Sequence, residues 1–414
     1  MKTSTKTILV SIACLVPTSL ITCLSINWQH TLYISATGGA EVRQIVQSFG
    51  NAYHKQFKQY EITVESQGSI YGIEQLAKKN TNIANTTINP YDIVDDNWYL
   101  KNNWEFKKTF TLGWEGLVIL YKLPNDLSQE AIDNFDIVIN KDNISHLYAV
   151  FSGFNEWKNG KWNSEWGTIY YYLSQENKKQ FNSDDVKICQ NTPITPYVRV
   201  GGNASAASSI VFSQLSGFAN AFENLTNNQK NAFICGQYGN DRNLYQTNKA
   251  NANAWSIFNI NNIPGSMTYL TTSFLSIKNN QEKIKENGYK IAKYQNDNGE
   301  ITNLDYEKDF ENVDNILNSN IYTNYQWIYP INVIVDVNDK KTIKFIKWIY
   351  DTKNSEKYKS TILANGLYPL QENQLDTMFY GNDFDSINEV TDFKLTINEV
   401  KDHMLLYGAK PYAD

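Results

Sequence analysis

A chain of 414 residues exceeds what one ordinary core organises and points to two or three compact units. With 42% hydrophobic, 14% aromatic and 19% charged residues the body of the chain folds, and a net charge of −6 with a pI near 5.4 leaves no basic stripe for nucleic-acid phosphates. Any anion captured here is held by local geometry, against the field of the whole protein.

Lys2 and Lys6 precede a charge-free run from Ile8 to Trp28, the charged and apolar regions of an export signal. The run is long enough to cross a bilayer uncleaved. It also contains Leu20-Ile21-Thr22-Cys23, which resembles the lipobox of bacterial lipoproteins with Thr22 in place of the usual Gly, Ala or Ser. Lipid attachment at Cys23, a retained helical anchor and simple release are the three alternatives, and either anchor ties the body to the outer face of the cell membrane. Cys189 and Cys235 are then the cysteines of the folded body, as one bridge or as buried thiols. No CxxC pair occurs and His30, His54, His146 and His403 are scattered, so no metal site is supported and no cofactor is expected.

From Thr31 to Ala36 the pattern is a short strand, running into Thr37-Gly38-Gly39 and then a helix with Val42, Ile45, Val46 and Phe49 on one face. The unit repeats: strand Glu61 to Glu65, turn Ser66-Gln67-Gly68-Ser69, helical stripe Ile70, Ile73, Leu76 and Ala77, then a third strand-like piece from Thr81 to Thr87. Strands alternating with helices predict an α/β fold with a largely parallel sheet, which binds ligands at the carboxyl ends of its strands. Farther on, Trp114 to Leu120 and Ile328 to Val337 are long strand-like runs. Between them lie a strand from Tyr197 to Val200, a turn at Gly201-Gly202-Asn203 and a helix from Ala204 to Phe222. A helix from Lys341 to Asp351 follows. The layout predicts a signal or anchor segment over 1–29, a first lobe over 30–120 and 325–414, and an inserted second lobe over 121–324.

In this order the motifs resemble the phosphate-binding proteins of ABC transporters, of the type II periplasmic-binding-protein family, over nearly the whole mature chain. The resemblance rests on Ser35-Ala36-Thr37-Gly38-Gly39, on Gly68-Ser69-Ile70-Tyr71-Gly72-Ile73, and on Asn82-Ile83-Ala84-Asn85-Thr86-Thr87, which stands where the family has Asp-Ile-Gly-x-Ser-Asp. Trp114-Glu115-Gly116-Leu117-Val118 resembles its hinge strand. Phe151-Ser152-Gly153 through Trp157, Pro264-Gly265 through Tyr269, Tyr329-Pro330 and Gly366-Leu367-Tyr368-Pro369-Leu370 match later signals. The resemblance implies two lobes, each a mixed, mostly parallel sheet with flanking helices, joined by hinge strands and closing on an oxyanion. It also implies a transporter permease as partner.

A dehydrated oxyanion needs many donors, and helix N-termini supply free N–H groups with a favourable dipole. On that logic Thr37, Gly38, Gly39 and Ser69 bind phosphate from the first lobe, and Arg199 binds it from the second through a planar fork. The family's Ser-Gly-Thr after this arginine is not intact, which leaves Ser205 and Ser208 as hydroxyl candidates. Thr87 stands where the family's Asp accepts a hydrogen bond from protonated phosphate, so discrimination against sulfate is weakened or moved, with Glu115 a candidate. No Gly-x-Ser-x-Gly elbow, phosphate loop or His-Glu-x-x-His is present, and the expectation is a binding protein, not an enzyme. The alternatives are a surface adhesin or antigen with a degenerate site, or a binding protein for another oxyanion or small solute, including a sugar stacked on Trp98, Trp104 or Trp166.

Overall fold

The computed structural model describes residues 31–87, 106–152, 166–199, 245–247, 251–319, 325 and 327–370. Cys23, Ser205, Ser208, Cys235, Trp98, Trp104 and the helix expected over 204–222 lie outside them. Within them the architecture is mixed α/β, built on a nine-stranded sheet.

The chain opens with β1 (Leu32–Gly38), helix α1 (Ala40–Gln56), β2 (Tyr60–Ser66), helix α2 (Ser69–Ala77) and β3 (Ile83–Thr86), and the three strands pair in parallel in the order β2-β1-β3. Helix α1 forms because Val42, Ile45, Val46 and Phe49 recur at helical spacing, and all four bury in the core together with Ile34, Ala36 and Ile83 of the strands. Helix α2 packs on β1 and β3.

Strand β4 (Lys107–Lys122) is sixteen residues long and organises the rest. Its first half pairs antiparallel with β12 (Ile328–Asp336), which pairs antiparallel with β3. Its second half pairs antiparallel with β8 (Ser266–Thr271), beside which β6 (Thr195–Arg199) and β7 (Tyr245–Thr247) run parallel. Short β9 (Tyr289–Ile291) also pairs with β4, and β5 (Val138–Ile139), β10 (Lys293–Gln295) and β11 (Ile301–Thr302) form a separate small sheet. The result is two sets of parallel strands connected through antiparallel β4 and β12.

The register shows where each set ends. Asn332 pairs with Thr86 on one side and Thr111 on the other, so the carboxyl edge of β1 and β3 lies level with Thr111 on β4. Thr271, the last residue of β8, pairs with Leu117. β6 pairs Tyr197 with Thr268 and ends two residues later at Arg199, near the same level. The second set runs opposite to the first, so the two carboxyl edges face each other across Leu112–Gly116 of β4. This segment is fixed from several sides: the Tyr350, Tyr358 and Tyr325 hydroxyls donate to the carbonyls of Thr111, Leu112 and Leu117, and Trp114 exchanges backbone hydrogen bonds with Tyr368.

Helix α3 (Lys340–Tyr350) continues from β12, and helix α4 (Ser355–Ala364) leads back to Tyr368. Phe345 and Trp348 of α3 meet Tyr53 of α1 with ring centroids 5.2 Å apart in each case. Trp166 is buried, stacked on His146, so it is not free to receive a sugar. Cys189 is a buried free thiol, and burial pushes its pKa up to about 12.

Asp309 is buried where it accepts hydrogen bonds from Ser319 (2.6 Å) and Tyr368 (3.0 Å), and desolvation raises its pKa above the ordinary carboxylate value. Because the folded pKa lies above the unfolded one, the folded state holds the proton more strongly. The cost of burying the charge is therefore absent at acid pH and sets in as pH rises through the folded pKa. Asp309→Asn keeps an acceptor for both hydroxyls and carries no charge. Its melting temperature is expected to exceed the wild type's near neutral pH, with the advantage shrinking to nothing as pH falls through the carboxylate range. A thermal-melt series across pH checks this.

Candidate functional site

Two turns, β1–α1 and β2–α2, meet the end of β3 at the carboxyl edge of the first strand set. At the end of β1, Gly38 takes φ +146°, a conformation that only glycine adopts readily, and Gly39 is the N-cap of α1. The Gly39 N–H donates to the Asn85 carbonyl at 2.9 Å, which ties the start of α1 to the end of β3. The Gly38 carbonyl accepts from the N–H groups of Gln67 and Gly68 (3.1 and 2.8 Å), which ties the β2–α2 turn to the same point. Gly68, with φ +100°, is the N-cap of α2. Helix α2 lies so close to β1 that a Cβ on Gly72 would stand 2.4 Å from the Thr37 carbonyl oxygen.

Neither N-cap is a residue with a capping side chain, so the first N–H groups of α1 and α2 have no side-chain acceptor at their caps. Around them are Thr37, Ser69 and Thr87, which are 6%, 4% and 2% exposed. The Thr87 N–H donates to Ser69 Oγ at 3.4 Å. The Thr87 hydroxyl is buried without any hydrogen-bond partner, and so are both amide atoms of Asn85. Buried polar atoms in folded proteins are nearly always paired, so these unpaired ones near the two helix starts single the cluster out as the candidate site.

Of the residues singled out in the sequence, Thr37, Gly38, Gly39, Ser69 and Thr87 are brought together here. Arg199 ends β6 on the facing edge, with its backbone opposite Thr247 of β7. Its side chain, like Ser205 and Ser208, lies outside the described residues. Glu115 is buried on the β4 segment between the two edges, where its carboxylate accepts hydrogen bonds from Tyr329 at 2.5 Å and from Ser273. The adjacent Gly116 N–H donates to Thr272 Oγ1 at 3.0 Å. Glu115 thus fastens β12 and the helix Thr272–Leu275 to the crossover strand. Asn85 was not singled out in the sequence, because an asparagine near a strand end reads as an ordinary turn residue until its burial is known. Among the described residues no group of three or more His, Cys, Asp or Glu could hold a metal ion, and no helix is long and apolar enough to cross a membrane.

No family model matches the chain. An uncharacterized lipoprotein of Mycoplasma genitalium is 25% identical over 383 residues, spanning 88% of this chain and 89% of the other. Among solved structures, a high-affinity periplasmic phosphate-binding protein bound with phosphate aligns with a TM-score of 0.50 at 11% identity, over 88% of this chain and all of that one. An ABC-type phosphate transport receptor from Vibrio cholerae aligns with a TM-score of 0.47 at 16% identity, over 82% of this chain and all of that one. At such identities the likeness is one of fold.

Proposed function

We propose that this chain is an extracytoplasmic solute-binding protein that captures phosphate or a similar oxyanion and passes it to an ABC transporter permease, without catalysing a reaction. The observation that carries this reading is the convergence of two helix N-termini, neither capped by a side chain, with the buried hydroxyls of Thr37, Ser69 and Thr87. Such a cluster offers a small anion a set of preorganised donors in a dry setting, where charge-assisted hydrogen bonds are strongest. Gly38 and Gly39 let the backbone come close. In this reading an inserted lobe of residues 121–324 completes the site through Arg199, Ser205 and Ser208, and residues 30–120 and 325–414 form the first lobe.

The names of the structural relatives support an oxyanion as the solute. The name of the Mycoplasma genitalium relative supports lipid attachment, here at Cys23, and hence a place on the outer face of the cell membrane.

Isothermal titration of the full chain with phosphate, arsenate and sulfate tests the reading. Phosphate is expected to bind with a Kd on the order of micromolar, as suits a charge-assisted site of several donors. Thr37→Val and Ser69→Ala each delete one hydroxyl donor and are expected to weaken phosphate binding about tenfold. Absence of heat with all three anions would reject the proposal and favour an adhesin or antigen built on the same fold.

A further inference from the structure

The strand set that ends at the candidate site begins at an edge of different character. At the amino edge of β1, β2 and β3, helices α1 and α2 end and α3 starts. The pieces are tied together there. The Leu32 N–H donates to the Gln59 carbonyl at 2.6 Å, Lys341 Nζ donates to the Tyr33 carbonyl, and Asn82 Nδ2 donates to Asp339, the N-cap of α3, at 2.8 Å. Exposed lysines gather at this edge: Lys55, Lys58, Lys79, Lys340 and Lys344, with Lys341 half-buried among them. Lys344 Nζ stands 5.8 Å from the ring centroids of both Phe57 and Tyr60, which brings α3 over the α1–β2 connection. Lys78 and Lys107 are also here but pair with Glu74 and Asp336. Among the described residues of this edge the remaining carboxylates are Glu61 and Asp339, and Asp339 is already engaged by Asn82 and Thr342. A strongly positive edge therefore sits on a chain whose net charge is −6.

We infer that this amino edge docks on a membrane surface of anionic lipid. The inference rests on the membrane anchoring proposed above and not on the identity of the solute. Leu32 begins β1, and only eight residues separate it from Cys23, a reach of at most about 30 Å. A charge-free run held in the bilayer as far as Trp28 leaves a shorter tether still. The basic edge is thus the part of the body that the anchor keeps beside the lipid. A tether raises the local concentration of the surface, so a patch too weak to bind alone becomes effective, and one acyl chain with a polybasic patch makes a stable pair of signals. Tyr33 and Leu32, 59% and 37% exposed at the same edge, have the amphipathic and apolar character that suits the headgroup boundary. The orientation has a consequence for capture. From Leu32 to Gly38, β1 spans roughly 20 Å, so docking by the amino edge holds the candidate site that far from the lipid. That distance exceeds a Debye length of about 8 Å at physiological salt, and an anion entering the site escapes the repulsion of the headgroups.

The test uses the full chain with its anchor, reconstituted into vesicles of phosphatidylcholine alone or with about one third phosphatidylglycerol. A membrane-impermeant amine reagent is added, and the labelling rate of each lysine is read by mass spectrometry. Lys283, exposed in the helix Lys278–Glu286, is the control, because that helix leads to Tyr289 at the far end of β4 from Lys107. On the anionic vesicles Lys58, Lys79 and Lys340 are expected to label about fivefold to tenfold more slowly than on neutral ones, with Lys283 unchanged. Salt at about 1 M, which shortens the Debye length to about 3 Å, should abolish the difference. The double variant Lys55→Glu, Lys58→Glu should lose most of the protection at Lys79 and Lys344. Equal labelling of the edge on both kinds of vesicle overturns the inference while the anchoring reading survives, since the chain still floats with the vesicles. Equal protection of Lys283, or a double variant protected like the wild type, also overturns it. A chain that stays in solution with both vesicles removes the anchoring reading and the inference with it.

Discussion

Gly38→Ala is expected to destabilise the protein by about 3–5 kcal/mol, the range of severe overpacking added to backbone strain. A Cβ at this position would stand 2.0 Å from the Asn85 carbonyl oxygen and 2.9 Å from its carbonyl carbon. Those are backbone atoms of β3, and β3 is held on both flanks, by β1 and by β12, so it cannot retreat without breaking a ladder. The φ of +146° adds a strain that no repacking relieves. The same carbonyl takes the Gly39 N–H, and the Gly38 carbonyl takes two N–H groups of the β2–α2 turn, so displacement of this one peptide loosens both helix starts together. Gly299→Ala is the control. It also has positive φ (+82°), but a Cβ there meets only the Gln295 Nε2 at 3.9 Å, so the conformational term of about 1 kcal/mol stands alone. Urea titrations of the two variants, with unchanged slopes, measure the difference directly. A Gly38→Ala midpoint no lower than that of Gly299→Ala would contradict the close approach of β1 and β3.

The strand, glycine turn and helix units of the first strand set were legible in the sequence because each level of signal agreed. Val42, Ile45, Val46 and Phe49 have helical spacing, the preceding segment has strand character, and a glycine pair stands between them. The extent of β4 was not. Trp114 to Leu120 reads as a strand, but Lys107, Lys108 and Thr109 look like its polar approach, and in the fold all three are buried, with Lys107 paired to Asp336. Burial of a lysine depends on a partner more than two hundred residues away, which no local pattern reports. Strands of two or three residues, such as β5 and β11, are too short to carry a period at all. Asn85 follows the same rule in the opposite sense. Its carboxamide is buried without a hydrogen-bond partner, and a missing hydrogen bond leaves no trace in the order of residues.

If Arg199 holds the anion as proposed, Arg199→Ala is expected to weaken phosphate binding by about a hundredfold or more, because truncating one member of a buried charge pair costs roughly 2–5 kcal/mol. The chain carries a net charge of −6, so no general field compensates for the loss. Arg199→Lys keeps the charge but not the planar fork, and an intermediate loss of about tenfold is expected. The register adds a second consequence. Five residues of β4, Leu112–Gly116, separate the levels at which the two strand edges end, which is roughly 15–20 Å of extended chain. In the proposed site, donors on both edges come together on one small anion as the edges tilt about that segment. Small-angle scattering of the wild type should therefore show a smaller radius of gyration at saturating phosphate, whereas Arg199→Ala at the same phosphate occupancy should stay open. If Arg199→Ala binds phosphate with wild-type affinity, or if saturating phosphate leaves the wild-type scattering unchanged, the anion is held by the first strand edge alone and the opposing edge plays no part in capture.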